Sequence, residues 1–504
     1  MAVNLIECFE KTAGQKSEHT AVIHNDESIS FGELRRKARI TGAFLQGLIH
    51  DKSHPAAVIL PKEINIVIAD LGIIYSSNVF MNIDVKTPAE RLSNILSLIQ
   101  PAVIITSRKY SLSAAENIPV VFIEDIDFSQ EDTESFTFAE GIDTDPLCII
   151  NTSGSTGTPK GVVLNHRSFF DFMARSNEEF RFDGSEIIGS LSPAVFDIFD
   201  FELCMLMLNG SQIVLIDAFL ASFPARLLEN LNKHRVSFIF WVPSIMVNIA
   251  NMNLLEKIPL QYLKLVWFAG EVFPVRQFLY WYDHLSDTEF ANLYGPIEIT
   301  LDCTFYRITS RPPENEPLPI GKPYKNTDIL ILNENDELCA VNEEGELCVR
   351  GTSLAMGYYN NPEKTAQAFT QNPLNKHYPE TIYRTGDIVR MREDGNIVFM
   401  GRRDTLIKHM GYRIELGEIE HVISNELKIA ENCCVVYDNE RKAIVLFYEQ
   451  AEAISDKEFR SALTKHFPAY MIPAKFIRME LLPRNTNGKI DRLQLKNSAL
   501  KGEY

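Results

Sequence analysis

Ten consecutive residues, Thr152-Ser153-Gly154-Ser155-Thr156-Gly157-Thr158-Pro159-Lys160-Gly161, combine three glycines, five hydroxyls and one lysine. Glycine lets backbone N–H groups approach a polyanion with no side chain between them. The hydroxyls add neutral donors, and Lys160 adds a mobile positive charge. That combination suits a triphosphate. Apolar runs at 147–150 and 162–164 flank the loop and read as strands. No Gly-Lys-Ser/Thr follows, so Walker-type chemistry is not implied.

Four further clusters could do chemistry. In Asn292-Leu293-Tyr294-Gly295-Pro296-Ile297-Glu298 the Gly-Pro pair makes a turn after a strand, with Tyr294 and Glu298 expected at its rim. A ring there can cover a base, and a carboxylate can hold Mg²⁺ beside phosphates. In Tyr383-Arg384-Thr385-Gly386-Asp387 the aspartate follows a tight glycine and can accept both hydroxyls of a ribose. Each of these two, taken alone, equally suits a structural turn. The others are Gly401-Arg402-Arg403-Asp404, followed by Lys408 and Gly411-Tyr412-Arg413-Ile414-Glu415, and Asn485-Thr486-Asn487-Gly488-Lys489 ahead of Arg492.

Strands alternating with helices must position these clusters. Residues 56–60 and 102–106 read as buried strands, with helical spacing at 93–100 between them. The pattern continues through strands at 212–217, 236–241 and 263–268, which predicts an α/β architecture with parallel strands. From about Pro312 short strands bounded by Gly, Asp and Asn (328–332, 345–350, 396–400) predict a small β unit built of hairpins. After Gly401–Asp404 a helix at 419–424, strands at 430–437 and 443–448 and a helix at 457–466 suit a small α+β domain. The expected division is a large N-terminal domain, 1–402, and a small mobile C-terminal domain, 403–504.

Composition narrows the function classes. With 67 acidic against 49 basic residues the net charge is −18, which argues against nucleic acid or an anionic membrane as partner. The N-terminus has neither the basic start nor the apolar core of a signal peptide. No apolar run approaches the roughly 20 residues that span a bilayer. The eight cysteines are scattered, with no CxxC pair, so free thiols in a reducing, cytoplasmic setting are expected rather than a zinc site. Cys433-Cys434 reads as half-buried strand.

In this order and spacing the five clusters resemble the adenylate-forming superfamily over essentially the whole chain. The nearest likeness is to stand-alone amino-acid adenylation domains of the nonribosomal-peptide-synthetase type and to D-alanine:carrier-protein ligases. Asn82-Ile83-Asp84 with Pro88 and Arg91, Phe196-Asp197, and Ala269-Gly270-Glu271 extend the likeness. The resemblance implies a reaction in two halves. A carboxylate attacks the α-phosphate of ATP to give an acyl-adenylate and pyrophosphate; a thiol then attacks the acyl carbon and expels AMP. It implies that Thr152, Ser153, Gly154, Ser155, Thr156, Gly157 and Lys160 hold the β- and γ-phosphates. Glu298 would bind Mg²⁺, Asp387 the ribose with Arg402 nearby, and Ala269, Gly270, Glu271, Asn292, Tyr294 and Gly295 the adenine side. Lys489 would bridge the substrate carboxylate and the α-phosphate, where charge builds in the transition state. Asp404 would be the hinge on which the small domain swings between a pose inserting Lys489 and a pose presenting the Lys408–Gly411 face. One departure is Ile297, where the family usually has Thr; losing one neutral hydrogen bond costs about 0.5–1.5 kcal/mol, so weaker turnover is expected.

By the same resemblance Asp197 would pair with a substrate ammonium, although Asp200 competes by register. Ile198, Phe201, Phe240, Trp267, Ala269, Leu293, Leu301 and Asp302 would line the side-chain pocket. Three large aromatics leave a small cavity, and Asp302 at its floor could accept a hydroxyl hydrogen or pair with a short cation. A small α-amino acid, serine- or alanine-like, is therefore expected. No carrier motif follows Arg492, so the acceptor thiol is expected in trans, on a phosphopantetheinylated carrier protein. The alternatives are an acyl- or aryl-CoA ligase, which Asp197 opposes, and a catalytically silent nucleotide-binding protein.

Overall fold

The computed structural model describes residues 4–110, 118–130, 141–152, 159–402, 406–430, 432–450, 454–484 and 490–502. Ser153 to Gly157, Asp404 and Lys489 lie outside the described residues. Two large sheets carry the N-terminal part. A nine-stranded sheet runs, edge to edge, from Lys322–Pro323 through Thr304–Ile308, Glu289–Tyr294, Leu265–Phe268, Phe238–Trp241, Ile187–Ser190, Gln212–Leu215 and Thr20–His24 to Glu27–Ser30. Its central strands are parallel, and the outer pairs at both edges are antiparallel. A seven-stranded sheet is parallel around Pro55–Ile59 and continues through the antiparallel pair Pro146–Thr152 and Lys160–Asn165, which flanks the glycine-hydroxyl loop, to an antiparallel edge strand at Gly357–Tyr358.

The helix Ile64–Tyr75 is buried over almost its whole circumference. Continuous apolar sequence of this kind forms a helix enclosed on all sides rather than an amphipathic surface one. It shares one apolar cluster with Val22 and Ile213 of the first sheet and Val58 and Ile105 of the second. The sheets thus hold the carboxyl ends of their strands in fixed relation, which is where ligands gather in open α/β sheets.

A five-stranded antiparallel sheet (Thr327–Leu332, Glu344–Gly351, Thr381–Met391, Phe369–Gln371, Ile397–Arg402) forms the expected β unit. The C-terminal part has a two-stranded hairpin, Leu406–His409 with Tyr412–Glu415, and a three-stranded sheet with helices. The helix expected at 419–424 runs from Leu416 to His421 and continues as a π-helical turn to Glu426. Cys433 and Cys434 lie on the strand Asn432–Asp438, and both are buried rather than half-buried. Alternate residues of a strand face opposite ways, and here each face meets its own apolar cluster. The described cysteines are all free thiols. No helix among the described residues is long and apolar enough to cross a membrane.

Candidate active site

Seven apolar residues expected to line a side-chain pocket (Ile198, Phe201, Phe240, Trp267, Ala269, Leu293 and Leu301) belong to one buried cluster. Phe240 and Trp267 are direct neighbours on adjacent parallel strands. Leu293 shares a face with Ala291, the cross-strand neighbour of Trp267, because side chains alternate along a strand. Trp267 stacks on Phe201 at 5.3 Å between ring centroids and meets Phe240 edge-on at 5.5 Å. These rings fill much of the space that a substrate side chain would otherwise enter.

Two carboxylates bound this cluster. Asp197 opens the helix Asp197–Cys204, directly after Phe196. Burial pushes its pKa up to about 6, against the pull of Lys408 and the Ile198 backbone N–H. Asp302 is buried, and burial with the nearby Asp197 charge raises its pKa well above the carboxylate range. Its oxygens can accept a hydrogen bond, and the same burial that raises its pKa favours its protonated form, which can also donate one. Asp200, the competitor by register, instead accepts from the Cys148 thiol inside the core.

The turn between these residues and the nucleotide motifs is tight. A Cβ on Gly295 would lie 2.1 Å from the Leu301 carbonyl oxygen, so only glycine lets the two backbones pass. Tyr294 and Glu298, expected at the rim, are instead buried, with Glu298 fully enclosed. The five-stranded sheet and the 406–415 hairpin cover them. The Tyr294 hydroxyl donates to Asp387, and Arg402 donates to the other oxygen of the same carboxylate. Arg402 also donates to the Thr385 carbonyl at 3.0 Å. Tyr294, Asp387 and Arg402, widely separated in sequence, thus form one network. Asn292 donates to the Pro319 carbonyl at 2.7 Å, and Gly270, next to Ala269, has φ +90°, which favours glycine.

Glu298 accepts from the Tyr358 hydroxyl at 2.8 Å and from Arg413 at 2.5 Å. Burial acts to raise its pKa, but the Arg413 charge and these hydrogen bonds overcome it and hold the carboxyl down at about 2. The Lys160 ammonium lies over the Tyr358 ring at 5.3 Å, its pKa lowered by burial and by Arg413. A cavity of about 610 Å³ opens beside them, with Lys160, Lys364, Arg384, Arg402 and Arg413 in its wall against Asp336, Glu346 and Glu415. Five cationic side chains against three anionic ones suit a polyanion.

Arg413 arrives on the hairpin of the C-terminal part. Met410 and Gly411 at its tip both have positive φ, as a two-residue type I′ turn requires. The Gly411 N–H donates to Glu271 at 3.0 Å, and Glu271 also accepts from the Ser244 N–H at 2.9 Å. The Lys408 ammonium lies 5.8 Å from the Tyr294 ring centroid, and burial lowers its pKa. Outside the site, Arg91 pairs with the fully buried Glu418 at 2.6 Å, and His466 with Glu90 at 3.1 Å. Motif reading quoted Arg413 and Arg91 but assigned neither a partner, and it did not reach Tyr358; no local pattern marks contacts between residues so far apart.

Known proteins resemble this chain in sequence and in fold. A family model described as AMP-binding enzyme matches residues 9–359. Bacitracin synthase 1 of Bacillus licheniformis is 32% identical over 508 residues, covering 99% of this chain. The chain spans only 10% of that relative's length. An artificially fused adenylation–PCP di-domain, NpsA-ThdA from Klebsiella oxytoca, matches with a TM-score of 0.81 at 22% identity, covering 94% of each chain. An o-succinylbenzoate CoA synthetase from Bacillus subtilis matches at 0.85 and 19% identity, covering 98% of each. At such identities the two structures speak for the fold alone. The chain belongs to the AMP-binding enzyme family.

Proposed function

We propose that the chain activates a small α-amino acid, serine- or alanine-like, as its aminoacyl-adenylate and passes it to the phosphopantetheine thiol of a separate carrier protein in the cytoplasm. The observation that carries this reading is the pairing of Asp197 with a pocket filled by Phe201, Phe240 and Trp267. An anion at the pocket mouth complements an α-ammonium, and the packed rings leave room for a short side chain. The buried Asp302 carboxyl suits a hydroxyl at the end of that side chain.

In the first half-reaction Lys160 and the loop Ser153, Gly154, Ser155, Thr156 and Gly157 hold the leaving pyrophosphate. Asp387, kept in place by Tyr294 and Arg402, binds the ribose. Lys489, carried by a small domain of residues 403–504 hinged at Asp404, stabilises charge at the α-phosphate. Glu298 suits Mg²⁺, being an ionised oxygen ligand next to Lys160. When bound, the metal neutralises the phosphate oxygens. The docked hairpin, with Lys408 and Gly411 at the site, is the arrangement for the second, thiol half-reaction.

Ile297 packs against the main apolar cluster, so it has a packing role although it offers no hydroxyl. Ile297→Thr is expected to raise kcat by about 2- to 10-fold, the gain of one neutral hydrogen bond; steady-state exchange kinetics check this. The test of the function itself is amino-acid-dependent ATP–pyrophosphate exchange over the proteinogenic amino acids and their D-forms. Serine or alanine should lead. Asp302→Ala should move preference toward apolar side chains, and an unchanged ranking would refute its role. A related fold serves both carrier-linked and CoA-linked proteins, so the thiol is tested directly, by offering the loaded enzyme holo-carrier protein or coenzyme A.

A further inference from the structure

We infer that Arg413 and a divalent cation compete for Glu298, so that the docked hairpin and a metal-loaded nucleotide site exclude each other. This rests on the reading of Glu298 as the metal-holding carboxylate. Both of its oxygens are engaged in the docked arrangement, one by the Tyr358 hydroxyl and the other by the Arg413 guanidinium. Glu298 is fully buried, and Lys160 lies close by. A dication added there would meet a carboxylate already balanced by one cation and flanked by another, in a medium where like charges repel strongly. Removing Arg413 leaves the converse problem: an enclosed anion with its main counter-charge gone, which is costly until another cation arrives. Guanidinium and metal therefore satisfy the same charge in alternative states.

Arg413 does not move alone. It sits on the strand Tyr412–Glu415, cross-paired with Lys408, between Gly411, which is anchored to Glu271, and Ile414, which is buried in the small-domain core. Losing Arg413 from Glu298 therefore favours losing the hairpin from the site. By thermodynamic linkage a metal that favours the undocked state must be bound more weakly by the docked one, and by the same factor. The consequence for the reaction is an order of events. Glu298 would have to release a bound metal before Arg413 could dock on it, so excess free metal would slow the thiol step without touching the thiol.

The test reads pose and metal separately. Glu90→Cys with His466→Cys, made with the half-exposed Cys8 and Cys339 changed to Ser, places two thiols across the domain contact, where a short bismaleimide traps the docked pose. With a non-hydrolysable ATP analogue present, saturating Mg²⁺ is expected to slow cross-linking by a coupling factor of about 5- to 150-fold. Adding Glu298→Gln should abolish that slowing. Mn²⁺ binding, followed by electron paramagnetic resonance, should tighten in Arg413→Gln and weaken in Glu298→Gln. If Mn²⁺ needs Glu298 yet cross-linking ignores the metal and Arg413→Gln binds Mn²⁺ as the parent does, the competition is refuted while the metal assignment stands. If Glu298→Gln leaves Mn²⁺ binding intact, the metal assignment and the competition both fall.

Discussion

Asp197→Ala is expected to lower kcat/KM for the amino acid by about 30-fold or more while leaving nucleotide affinity unchanged, because truncating one member of a buried charge pair costs about 2–5 kcal/mol. The side chain begins a helix whose other residues are packed into the core, so its position does not depend on the substrate. In the docked pose its pKa lies at about 6, raised by burial. The sign follows: above about 6 the carboxylate is charged and pairs with the substrate ammonium, and below it a proton neutralises the pair. KM should therefore rise as pH falls through the value that this carboxyl takes in the adenylating pose, where Lys408 no longer pulls it down, by up to about tenfold per pH unit. Asp197→Asn should flatten this dependence at the low-affinity level. Exchange kinetics from pH 5 to 8 check both, and a KM flat across that range in the parent enzyme would remove Asp197 from the ammonium site.

The parts of the molecule that were legible in the chain are those encoded within a few neighbouring residues. Parallel strands such as Pro55–Ile59 and Leu265–Phe268 are continuous apolar runs, as strands covered on both faces must be. The turn at Gly295 and Pro296 declares itself by residue type, and the close approach of the Leu301 carbonyl explains why glycine stands there. What stayed hidden are choices of partner. Arg413 and Glu298 are 115 residues apart, and Arg91 and Glu418 are 327 apart. A charged residue carries no sign of which opposite charge it will meet, so the motifs that hold Arg413, Glu298 and Arg91 name none of these partners. The burial of Tyr294 and Glu298 was missed for the same reason: the cover comes from the β unit and from the hairpin at 406–415, not from their own turn.

Arg91→Ala is expected to cut single-turnover transfer to the acceptor thiol by about 10²-fold or more, and to leave amino-acid-dependent pyrophosphate exchange within about twofold, because breaking a buried ion pair costs about 3–5 kcal/mol. The pair joins the helix Ala89–Ile99 to the helix Leu416–His421, and Glu418 is fully enclosed. The penalty falls only on the pose that buries Glu418 against Arg91. Arg91 contributes nothing to the aromatic pocket or to the Asp387 network, so the half-reaction made in the other pose does not sense its loss. Arg91→Lys should restore part of the transfer rate, since it keeps the charge but not the forked geometry. The double variant Arg91→Ala/Glu418→Ala should transfer faster than Arg91→Ala alone, because no buried carboxylate is then left without its guanidinium. Equal losses in exchange and transfer would make Arg91 a residue of general stability. Unchanged transfer would mean that the hairpin-docked arrangement is not the one in which the thiol attacks.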